Sequence, residues 1–555
     1  MTPNVTYVMP KSGQPFIRYK PRLLPAVEVK DIGGRWEGAF GTWRLPPICL
    51  SIEDLYELYP ADELELDATC TRMWMSELGF IPRPEEEVFR GMPTPIVRAM
   101  FRDDPEEYAY QRLAVRYLVS SPHPGSLLAL SPGLGKTVTT IAAALALKAK
   151  NVLVISPLTL MMNWQQEADK WAGDAFKWAG IVVNQTYGVG PSSVGWSITN
   201  YDTVVRQIDK YQKVMWDIVI LDESILVKNK DTKRSKAMRS LQKYSKRRWL
   251  VSGSPTSRYA DDLFSQLQII DPISFSSYWR FAHRFCYVEN GTWGTQITGT
   301  NRRHDAKFDL RDFMFVRNQK DVLKLPPLLY ETVNVEMTKR QQQIYDGILK
   351  EFLFMLDEDT EVSVSTRIAQ LTRLQQCVST PRNFGDQWPD ESGKLLALEE
   401  LLEVEEIPTP AIIWYHWHSS GDLVANALRK RGKKFERVEG DIDDRNTQIQ
   451  AFKEGLVDFL VMSLGVGKYG HTLTNAQAMV YFDRSWDADA YIQSRARVHR
   501  IGLTHSPVII TLRCPKTVEE MVEASLESKS VSISQISNND LASLLRGLKH
   551  DSPST

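Results

Sequence analysis

Short runs of apolar residues alternate with amphipathic helical stretches in two separate parts of the chain. The runs of the first part are Leu127–Leu130, Val152–Ile155, Ile218–Leu221 and Trp249–Val251, and those of the second are Ala411–Tyr415, Phe459–Met462, Met479–Phe482 and Val508–Leu512. Strands that are apolar at every position are typical of parallel sheets covered by helices on both faces. Their alternation with helices indicates strand–helix–strand units. The pattern therefore predicts an α/β protein with two lobes, each built on a parallel sheet.

The rest of the chain is predicted to be helical or accessory to these lobes. Residues 275–400 contain helical patterns at Lys339–Met355 and Ser365–Val378 and show no strand-like run. The Leu325-Pro326-Pro327 step breaks any helix, so we expect a boundary there. The predicted divisions are a small α+β domain at 1–100, a first lobe with a helical protrusion at 101–325, a second lobe with a helical insertion at 326–515, and a brace helix with a polar, partly disordered tail at 516–555.

The composition of the chain adds no further element to this prediction, but it argues against several classes of protein. With a net charge of −1, any affinity for nucleic acid must come from local patches. The five cysteines form no CxxC pair, so we expect neither a zinc site nor a disulfide framework. The start of the chain does not resemble a signal peptide, and no apolar run approaches the roughly 20 residues that span a bilayer. We expect no membrane partner, a monomer in solution, and a cytoplasmic location, or a nuclear one if the host has a nucleus.

A glycine-rich segment follows the first predicted strand and precedes a helical run. It reads Ser131-Pro132-Gly133-Leu134-Gly135-Lys136-Thr137 and continues with Val138. Glycines let backbone N–H groups curl around phosphates, and a helix N-terminus adds partial positive charge. Lys136 would then reach the β- and γ-phosphates of ATP, and the Thr137 hydroxyl would bind Mg²⁺. Because Leu130 stands where the full GxxxxGK pattern has a glycine, a plain glycine turn is the alternative, but we favour nucleotide binding.

Two adjacent acids, Asp222 and Glu223, follow the strand-like run Ile218–Leu221. Ligands of such sheets bind beyond the carboxyl ends of the strands. Mg²⁺ prefers oxygen ligands, which suits Asp222, and Glu223 suits the positioning and deprotonation of an attacking water. An isolated pair of this kind is more often a solvated strand end, but a phosphate loop in the same lobe favours catalysis.

The order of these and further motifs resembles the Snf-type DNA translocases of helicase superfamily two. The matching segments of the first lobe are Tyr110-Gln111, the phosphate loop, Ser156–Leu158 with Asn163-Trp164 and Glu167, Ile198–Tyr201, Trp216–Glu223 with Lys228-Asn229, and Ser252–Thr256 with Leu267–Pro272. Those that follow are Arg317 with Lys320–Val322, Leu325–Pro327, Ser392–Leu395, Gly440 with Arg445, Ser463–Ala476 and Gln493–Gly502. The likeness covers about residues 105–525 and implies two RecA-like lobes. Departures occur at Ser224-Ile225, Thr472 and Leu503, and they put coupling efficiency in question more than ATPase chemistry.

The resemblance implies a role for particular residues. ATP binding is assigned to Gln111, Ser131, Pro132, Gly133, Leu134, Gly135, Lys136, Thr137, Val138 and Gly470. Mg²⁺ binding is assigned to Thr137 and Asp222, and catalysis to Lys136, Asp222, Glu223, Arg497 and Arg500. Coupling is assigned to Gly253, Pro255, Thr256 and Gln493, and DNA contact to Asn163, Trp164, Thr199, Ser463 and Thr474.

Arg497 and Arg500 stand three residues apart, which predicts that they share one face of a helix. In the family such arginines touch the γ-phosphate, and an arginine finger is worth roughly 10³–10⁵ in rate. A solvated basic helix is the alternative for the segment considered alone.

Residues 1–100 carry Trp36 and Trp43 within Val27–Pro46, followed by a helical pattern at Ile52–Leu58. This stretch resembles the small HepA-related (HARP) domain found before some fork-remodelling Snf-type motors, and it is also compatible with a plain β-hairpin. The resemblance implies selection of forked or junction DNA. The compact size suggests a phage or bacterial source.

The function expected from these features is ATP-dependent, Mg²⁺-dependent translocation on double-stranded DNA, which would remodel forks or displace bound proteins. Two alternatives remain: a strand-separating DNA or RNA helicase, and a DNA-binding interaction protein with a decayed ATPase. The Snf-type segments Arg317 and Leu325–Pro327 disfavour the first alternative. The presence of Lys136, Asp222 and Glu223 disfavours the second.

Overall fold

The protein is described by a computed structural model, and its backbone contacts divide the chain into two units, Met1–Leu323 and Lys324–Thr555. The division falls two residues before Leu325, where the sequence predicts a boundary. The residues that the structure describes are 5–8, 16–19, 35–37, 42–45, 66, 70, 78, 80, 82–101, 108–173, 182–183, 195–257, 259–291, 294–301, 306–357, 362–385, 387–438, 442–466, 472–528 and 538–547.

The first unit begins with a small antiparallel sheet of four strands in the order β1-β2-β4-β3. The strands are β1 (Val5–Val8), β2 (Phe16–Tyr19), β3 (Arg35–Glu37) and β4 (Thr42–Leu45). Trp36 on β3 pairs with Trp43 on β4, so the predicted hairpin is confirmed at the level of the backbone. The predicted helix at Ile52–Leu58 lies outside the described residues.

The main sheet of the first unit has seven parallel strands in the order β13-β5-β10-β9-β6-β8-β7. Its strands are β5 (Gly125–Leu130), β6 (Asn151–Ser156), β7 (Val182–Val183), β8 (Gly195–Asn200), β9 (Trp216–Asp222), β10 (Ser245–Ser252) and β13 (Met314–Arg317). Every residue of β5 is buried, as continuous apolar character predicts for a strand covered on both faces. The four predicted strands of this lobe are confirmed.

Helices cover this sheet and lead into it. They are α1 (Glu85–Val88), α2 (Thr94–Met100), α3 (Ala109–Ser120), α4 (Lys136–Ala146), α5 (Met161–Ala172), α6 (Tyr201–Arg206), α7 (Ile208–Tyr211), α8 (Lys233–Ser240), α9 (Asp262–Ile270), α10 (Tyr278–Phe285), α11 (Ala306–Asp309) and α12 (Gln319–Val322). Arg112 on α3 pairs with Glu85 at 3.0 Å and donates to the Met100 carbonyl at 2.8 Å. Helices α1 and α2 are therefore attached to α3 by polar contacts.

The prediction that residues 275–400 lack strands is wrong. A hairpin of β11 (Cys286–Gly291) and β12 (Gly294–Thr300) stands apart from the main sheet, β13 joins its edge, and β14 (Leu329–Asn334) follows. The prediction relied on runs of buried apolar residues. Most of these strands lack such a run and are recognised only by their hydrogen bonds to a neighbouring strand. Five of the six residues of β14 are exposed, so it carries no apolar run.

The second unit is built on six parallel strands in the order β14-β19-β18-β15-β17-β16. Besides β14 they are β15 (Ala411–Tyr415), β16 (Phe435–Arg437), β17 (Phe459–Ser463), β18 (Ala478–Tyr481) and β19 (Val508–Arg513). Its helices are α13 (Lys339–Asp357), α14 (Val364–Ser379), α15 (Gly393–Glu403), α16 (His418–Lys430), α17 (Ile442–Lys453), α18 (Ala488–Val498), α19 (Val518–Ser528) and α20 (Asn538–Gly547). The predicted strands and the two predicted helices of this unit are confirmed.

Two features of the second unit were not predicted from the pattern of apolar residues: a buried ion pair and a helix in the polar tail. Lys394, in a segment that resembles the Snf-type family, is fully buried and pairs with Glu519 at 2.5 Å. The polar tail contains α20, whose Leu541 and Leu545 are buried in the core. Among the described residues, we find no helix whose length and apolar character would let it cross a membrane.

Candidate nucleotide and magnesium site

The phosphate loop lies between β5 and α4, at the carboxyl edge of the first unit's main sheet. β5 ends at Leu130 and α4 begins at Lys136, with Gly135 as its N-cap. Gly133 and Gly135 have φ values of 88° and 76°, a backbone region that favours glycine. A Cβ atom on Gly135 would lie 2.5 Å from the Nε2 atom of Gln111. Both the backbone and a neighbouring side chain therefore require glycine at this position.

Helix α3 holds the phosphate loop through two buried side chains. The Tyr110 hydroxyl and the Gln111 amide each donate to the Leu134 carbonyl at 3.1 Å. A cavity of about 450 Å³ opens beside Tyr110. Three arginines contribute to its lining: Arg112, Arg116 and Arg317. The carboxylates of Glu85 and Asp321 share this lining, so the cavity is polar and carries both signs of charge.

Lys136 and Gly253 meet at this loop. The Lys136 ammonium donates to the Leu130 carbonyl at 3.2 Å. Gly253 follows β10, which lies between β5 and β9 in the sheet. A Cβ atom on Gly253 would lie 3.0 Å from the Pro132 Cγ and 3.4 Å from the Lys136 Nζ. One of the predicted coupling residues is thus in direct proximity to the phosphate loop.

Asp222 and Glu223 occupy the carboxyl end of β9, as the sequence predicts for ligand-binding acids. Asp222 is buried, and its two carboxylate oxygens accept from the Trp164 indole at 2.8 Å and from the Glu223 backbone N–H at 3.0 Å. Burial raises the pKa of the Asp222 carboxyl, while the Trp164 hydrogen bond, the charge of Lys136 and the Glu223 N–H act in the opposite direction. Glu223 has a φ of 50°, which is uncommon for a residue with a Cβ.

The residues at this edge fit a magnesium ion. Thr137 and Asp222 offer a hydroxyl and a carboxylate, the oxygen ligands that Mg²⁺ prefers. Within the described part of the chain, no group of three or more His, Cys, Asp or Glu residues could hold a metal. Mg²⁺ is usually bound by one or two carboxylates together with substrate phosphates and water.

A buried glutamine links the acid pair to the segment after Gly253. The Ser224 hydroxyl donates to the Gln266 Oε1 at 2.7 Å, and the Gln266 Nε2 donates to the Pro255 carbonyl at 2.7 Å. Gln266 is fully buried on α9. The signal in the sequence is an amide placed among the apolar residues Phe264, Leu267, Ile269 and Ile270, because a buried amide needs hydrogen-bond partners.

Two of the residues predicted to contact DNA have buried side chains. Trp164 and Thr199 have only 1% of their surface exposed. The Trp164 indole is directed to Asp222, and the Thr199 hydroxyl accepts from the Tyr211 hydroxyl at 2.9 Å. Both side chains therefore face the interior of the first unit, and their contact with DNA stays a prediction. The i, i+3, i+7 spacing of Met161, Trp164 and Ala168, all buried, could have placed Trp164 on the inner face of α5.

The other predicted DNA and coupling residues lie in more open positions. Half-buried side chains belong to Asn163, Pro255, Thr256, Ser463, Thr474 and Gln493. The Ser463 hydroxyl accepts from the Gly465 backbone N–H at 3.1 Å. Gly470, predicted to bind ATP, lies outside the described residues. Their roles stay predictions.

The prediction that Arg497 and Arg500 share a helix face is wrong. Helix α18 ends at Val498, and the following His499 has a non-helical ψ of 82°. The His499 ring is held at 3.0 Å from the Pro326 carbonyl, which fixes the chain beyond the helix. Arg497 therefore belongs to the helix and Arg500 to the turn after it. The Arg500 charge, together with burial as the larger cause, lowers the pKa of Lys453.

Comparison with known proteins gives two family matches. The SNF2-related domain matches residues 110–383, and the helicase conserved C-terminal domain matches residues 393–502. Together they span the phosphate loop, the acid pair and α18.

Curated relatives and solved structures are similar over most of the chain. A rice (Oryza sativa subsp. japonica) "Probable chromatin-remodeling complex ATPase chain" is 26% identical over 74% of this chain and 39% of its own length. The human "SWI/SNF-related matrix-associated actin-dependent regulator of chromatin subfamily A member 1" is 26% identical over 76% of this chain and 42% of its own length. The chain thus spans less than half of each of these two relatives.

The solved "Sulfolobus solfataricus SWI2/SNF2 ATPase core in complex with dsDNA" is 26% identical, covers 79% of this chain and 96% of that chain, and has a TM-score of 0.38. The family matches agree with the phosphate loop, the acid pair and the two parallel sheets. The chain belongs to the Snf-type family of ATPases in helicase superfamily two.

Proposed function

We propose that this chain hydrolyses ATP in response to duplex DNA and uses the reaction to move along it. The observation that carries this proposal is the convergence of Lys136, Asp222 and Gly253 at the carboxyl edge of one sheet. There the Gly253 Cβ position lies 3.4 Å from the Lys136 Nζ, and the Lys136 charge acts on Asp222. Phosphoryl transfer needs this combination of positioning and charge.

Each group at this edge has a chemical task in the proposed reaction. The loop amides and Lys136 bind the phosphates, and the cavity beside Tyr110 binds the base. Thr137 and Asp222 would hold Mg²⁺, which supplies positive charge to the phosphate oxygens. Glu223 positions the attacking water and accepts its proton. Arg497 and Arg500 are proposed to supply positive charge to the transition state, on the strength of the family resemblance.

Duplex DNA is proposed as the track for two reasons. The chain carries the Snf-type segments Arg317 with Lys320–Val322 and Leu325–Pro327, which accompany duplex translocation in the family. One relative, similar over 74% of this chain, is named a probable chromatin-remodeling complex ATPase chain, and another, similar over 76%, is named a regulator of chromatin. Asn163, Ser463 and Thr474 remain the proposed DNA contacts, and contacts to the sugar-phosphate backbone would let stepping ignore sequence.

The test is a comparison of ATPase rates with duplex, single-stranded and forked DNA and with RNA, alongside displacement of a third strand from a triplex. We expect strong stimulation by duplex DNA, weak stimulation by RNA, and triplex displacement that requires ATP. Glu223→Gln should keep ATP binding and lower turnover by at least about 10²-fold, as loss of a general base does. Glu403→Gln, an exposed acid of α15 outside the family motifs, is the control and should keep full activity.

Four outcomes would contradict the proposal or a part of it. Equal stimulation by RNA, or strand separation without triplex displacement, would indicate a strand-separating helicase. Absence of ATP hydrolysis under all conditions would indicate a DNA-binding protein with a decayed ATPase. Normal hydrolysis by Glu223→Gln would remove Glu223 from the role of general base.

A further inference from the structure

Two segments that resemble DNA-contacting motifs each direct a buried aromatic side chain to Asp222. Trp164, near the start of α5, donates its indole N–H to the Asp222 Oδ2 at 2.8 Å. Tyr201, the first residue of α6, donates its hydroxyl to the Asp222 backbone carbonyl at 2.7 Å. Both side chains are at least 98% buried. The side chain and the main chain of Asp222 are therefore held by different helices.

The sheet order explains why these helices meet at Asp222. β6 lies between β9 and β8, and all three strands run parallel. Helix α5 follows β6, and α6 follows β8 directly, so both helices begin beside the end of β9. Asn200 caps α6 by accepting from the Thr203 N–H at 2.9 Å, and its amide lies 3.9 Å from the Met161 sulfur at the start of α5.

The same helices reach the protein surface close to these buried anchors. Leu158, just before α5, has 60% of its surface exposed, and Gln166, two residues after Trp164, is exposed. Asn163, the neighbour of Trp164, is half-buried. A ligand that contacts this surface therefore touches the elements that hold Asp222. On α5, only one residue separates the exposed Gln166 from the buried Trp164.

We propose that Trp164 and Tyr201 are positioning residues for Asp222, and that DNA bound to the outer side of α5 and α6 acts on the Mg²⁺ site through them. This inference rests on the proposed function. The indole N–H is a donor only and sits on a rigid ring, so it fixes the rotation of the carboxylate. A carboxylate has about four lone-pair sites, so the two hydrogen bonds at Asp222 leave others for a metal.

The variants are chosen to remove one hydrogen bond and little else. Trp164→Phe removes the indole N–H and keeps an aromatic ring, and Tyr201→Phe removes only the hydroxyl. Trp249→Phe is the matched control, because Trp249 is fully buried in the same unit and its indole nitrogen has no hydrogen-bond partner among the described residues. The three variants are compared with the parent protein.

Four quantities separate a positioning role from a DNA contact or a packing role. They are the Mg²⁺ concentration needed for binding of a fluorescent non-hydrolysable ATP analogue, duplex affinity by fluorescence anisotropy, kcat with and without duplex DNA, and the thermal midpoint. We expect Trp164→Phe to raise the Mg²⁺ requirement about tenfold and to lower DNA-stimulated kcat by at least as much. Duplex affinity should stay within about twofold, and Trp249→Phe should leave the Mg²⁺ requirement unchanged.

Other results would overturn the inference. Weaker duplex binding by Trp164→Phe with an unchanged Mg²⁺ requirement would make Trp164 a DNA contact after all. Equal effects of Trp164→Phe and Trp249→Phe on the Mg²⁺ requirement would reduce the role to packing. If Trp164→Phe does not fold, Tyr201→Phe decides: it should lower the ratio of DNA-stimulated to basal kcat, and an unchanged ratio contradicts the proposal. A parent protein that DNA does not stimulate would refute the proposed function, whereas Mg²⁺-dependent analogue binding still tests the positioning of Asp222.

Discussion

At the scale of single residues, the candidate site depends on close approaches that leave no room for added atoms. Gly253 is the clearest case, because its missing side chain lets the segment after β10 contact the phosphate loop at Pro132. The hypothetical Cβ–Cγ distance of 3.0 Å is shorter than normal van der Waals contact, and both partners belong to backbone-restrained segments. The absence of a side chain at Gly253 therefore helps to keep Lys136 in a position from which it would contact a nucleotide.

We expect Gly253→Ala to lower kcat/KM for ATP about tenfold, because displacing the loop by a fraction of an ångström disturbs Lys136, and a 1 Å misplacement costs as much as ~10²-fold. Steady-state kinetics with saturating duplex DNA would measure the effect. Gly347→Ala is the control: no atom lies within 4 Å of its Cβ position on α13, and Ala should stabilise the helix by about 0.5–1 kcal/mol without changing kinetics. Unaltered kcat/KM in Gly253→Ala would contradict this account.

At the scale of elements, the turn after β9 is joined to α9 by the Ser224–Gln266–Pro255 hydrogen bonds. Gln266→Leu should lower the free energy of unfolding by about 1–3 kcal/mol, because the Pro255 carbonyl and the Ser224 hydroxyl lose a buried partner. Ser224→Ala should then cost less in the Gln266→Leu background than in the parent. Urea unfolding of the two single variants and the double variant measures this coupling, and additivity within about 0.3–0.5 kcal/mol would show that the residues act independently.

The end of α18 separates two arginines that the sequence placed together. Because Arg500 stands in the turn held by His499, its position depends on that turn rather than on the helix. Arg500→Ala should lower turnover by about 10³-fold or more while leaving ATP and duplex affinity nearly intact, since its proposed partner charge develops mainly in the transition state. Single-turnover kinetics and equilibrium binding separate these effects. Weaker binding with normal turnover at saturation would make the segment a basic surface.

At the scale of the whole molecule, the buried architecture was predictable and the polar connections were not. β5, β6, β9 and β15 were predicted because central parallel strands are apolar throughout. β14 was missed because it is an exposed edge strand, and the hydrogen bond of Trp164 to Asp222 was missed because a motif gives a residue's neighbourhood but not the direction of its side chain. Lys136, Asp222 and Glu223 could be singled out as candidates because their chemistry and their order along the chain are both restrictive, and their roles stay predictions. Gln266 was missed because its function depends on partners 11 and 42 residues away.

The contacts of α1 and α2 predict where the N-terminal part can be removed. Deleting residues 1–81 should keep duplex-stimulated ATPase within a few-fold of the parent, while work on forked DNA falls further if the HARP likeness holds. Deleting residues 1–100 should also lower the thermal midpoint, because Arg112 loses Glu85 and the Met100 carbonyl. ATPase, fork regression and thermal melting, measured together, would test this. Equal midpoints for the two deletions would show that α1 and α2 do not support α3.

Helix α3 contacts α1 and α2 through Arg112 and the phosphate loop through Tyr110 and Gln111. In evolutionary terms, this makes the segment before residue 82 a favourable place to exchange domains. A domain fused there would precede α1 and α2, which contact α3 through Arg112, and α3 contacts the phosphate loop near its own start. A molecule that binds the fused domain would then act on α3 through these contacts. A new form of control over ATP use could therefore arise without any change in the phosphate loop.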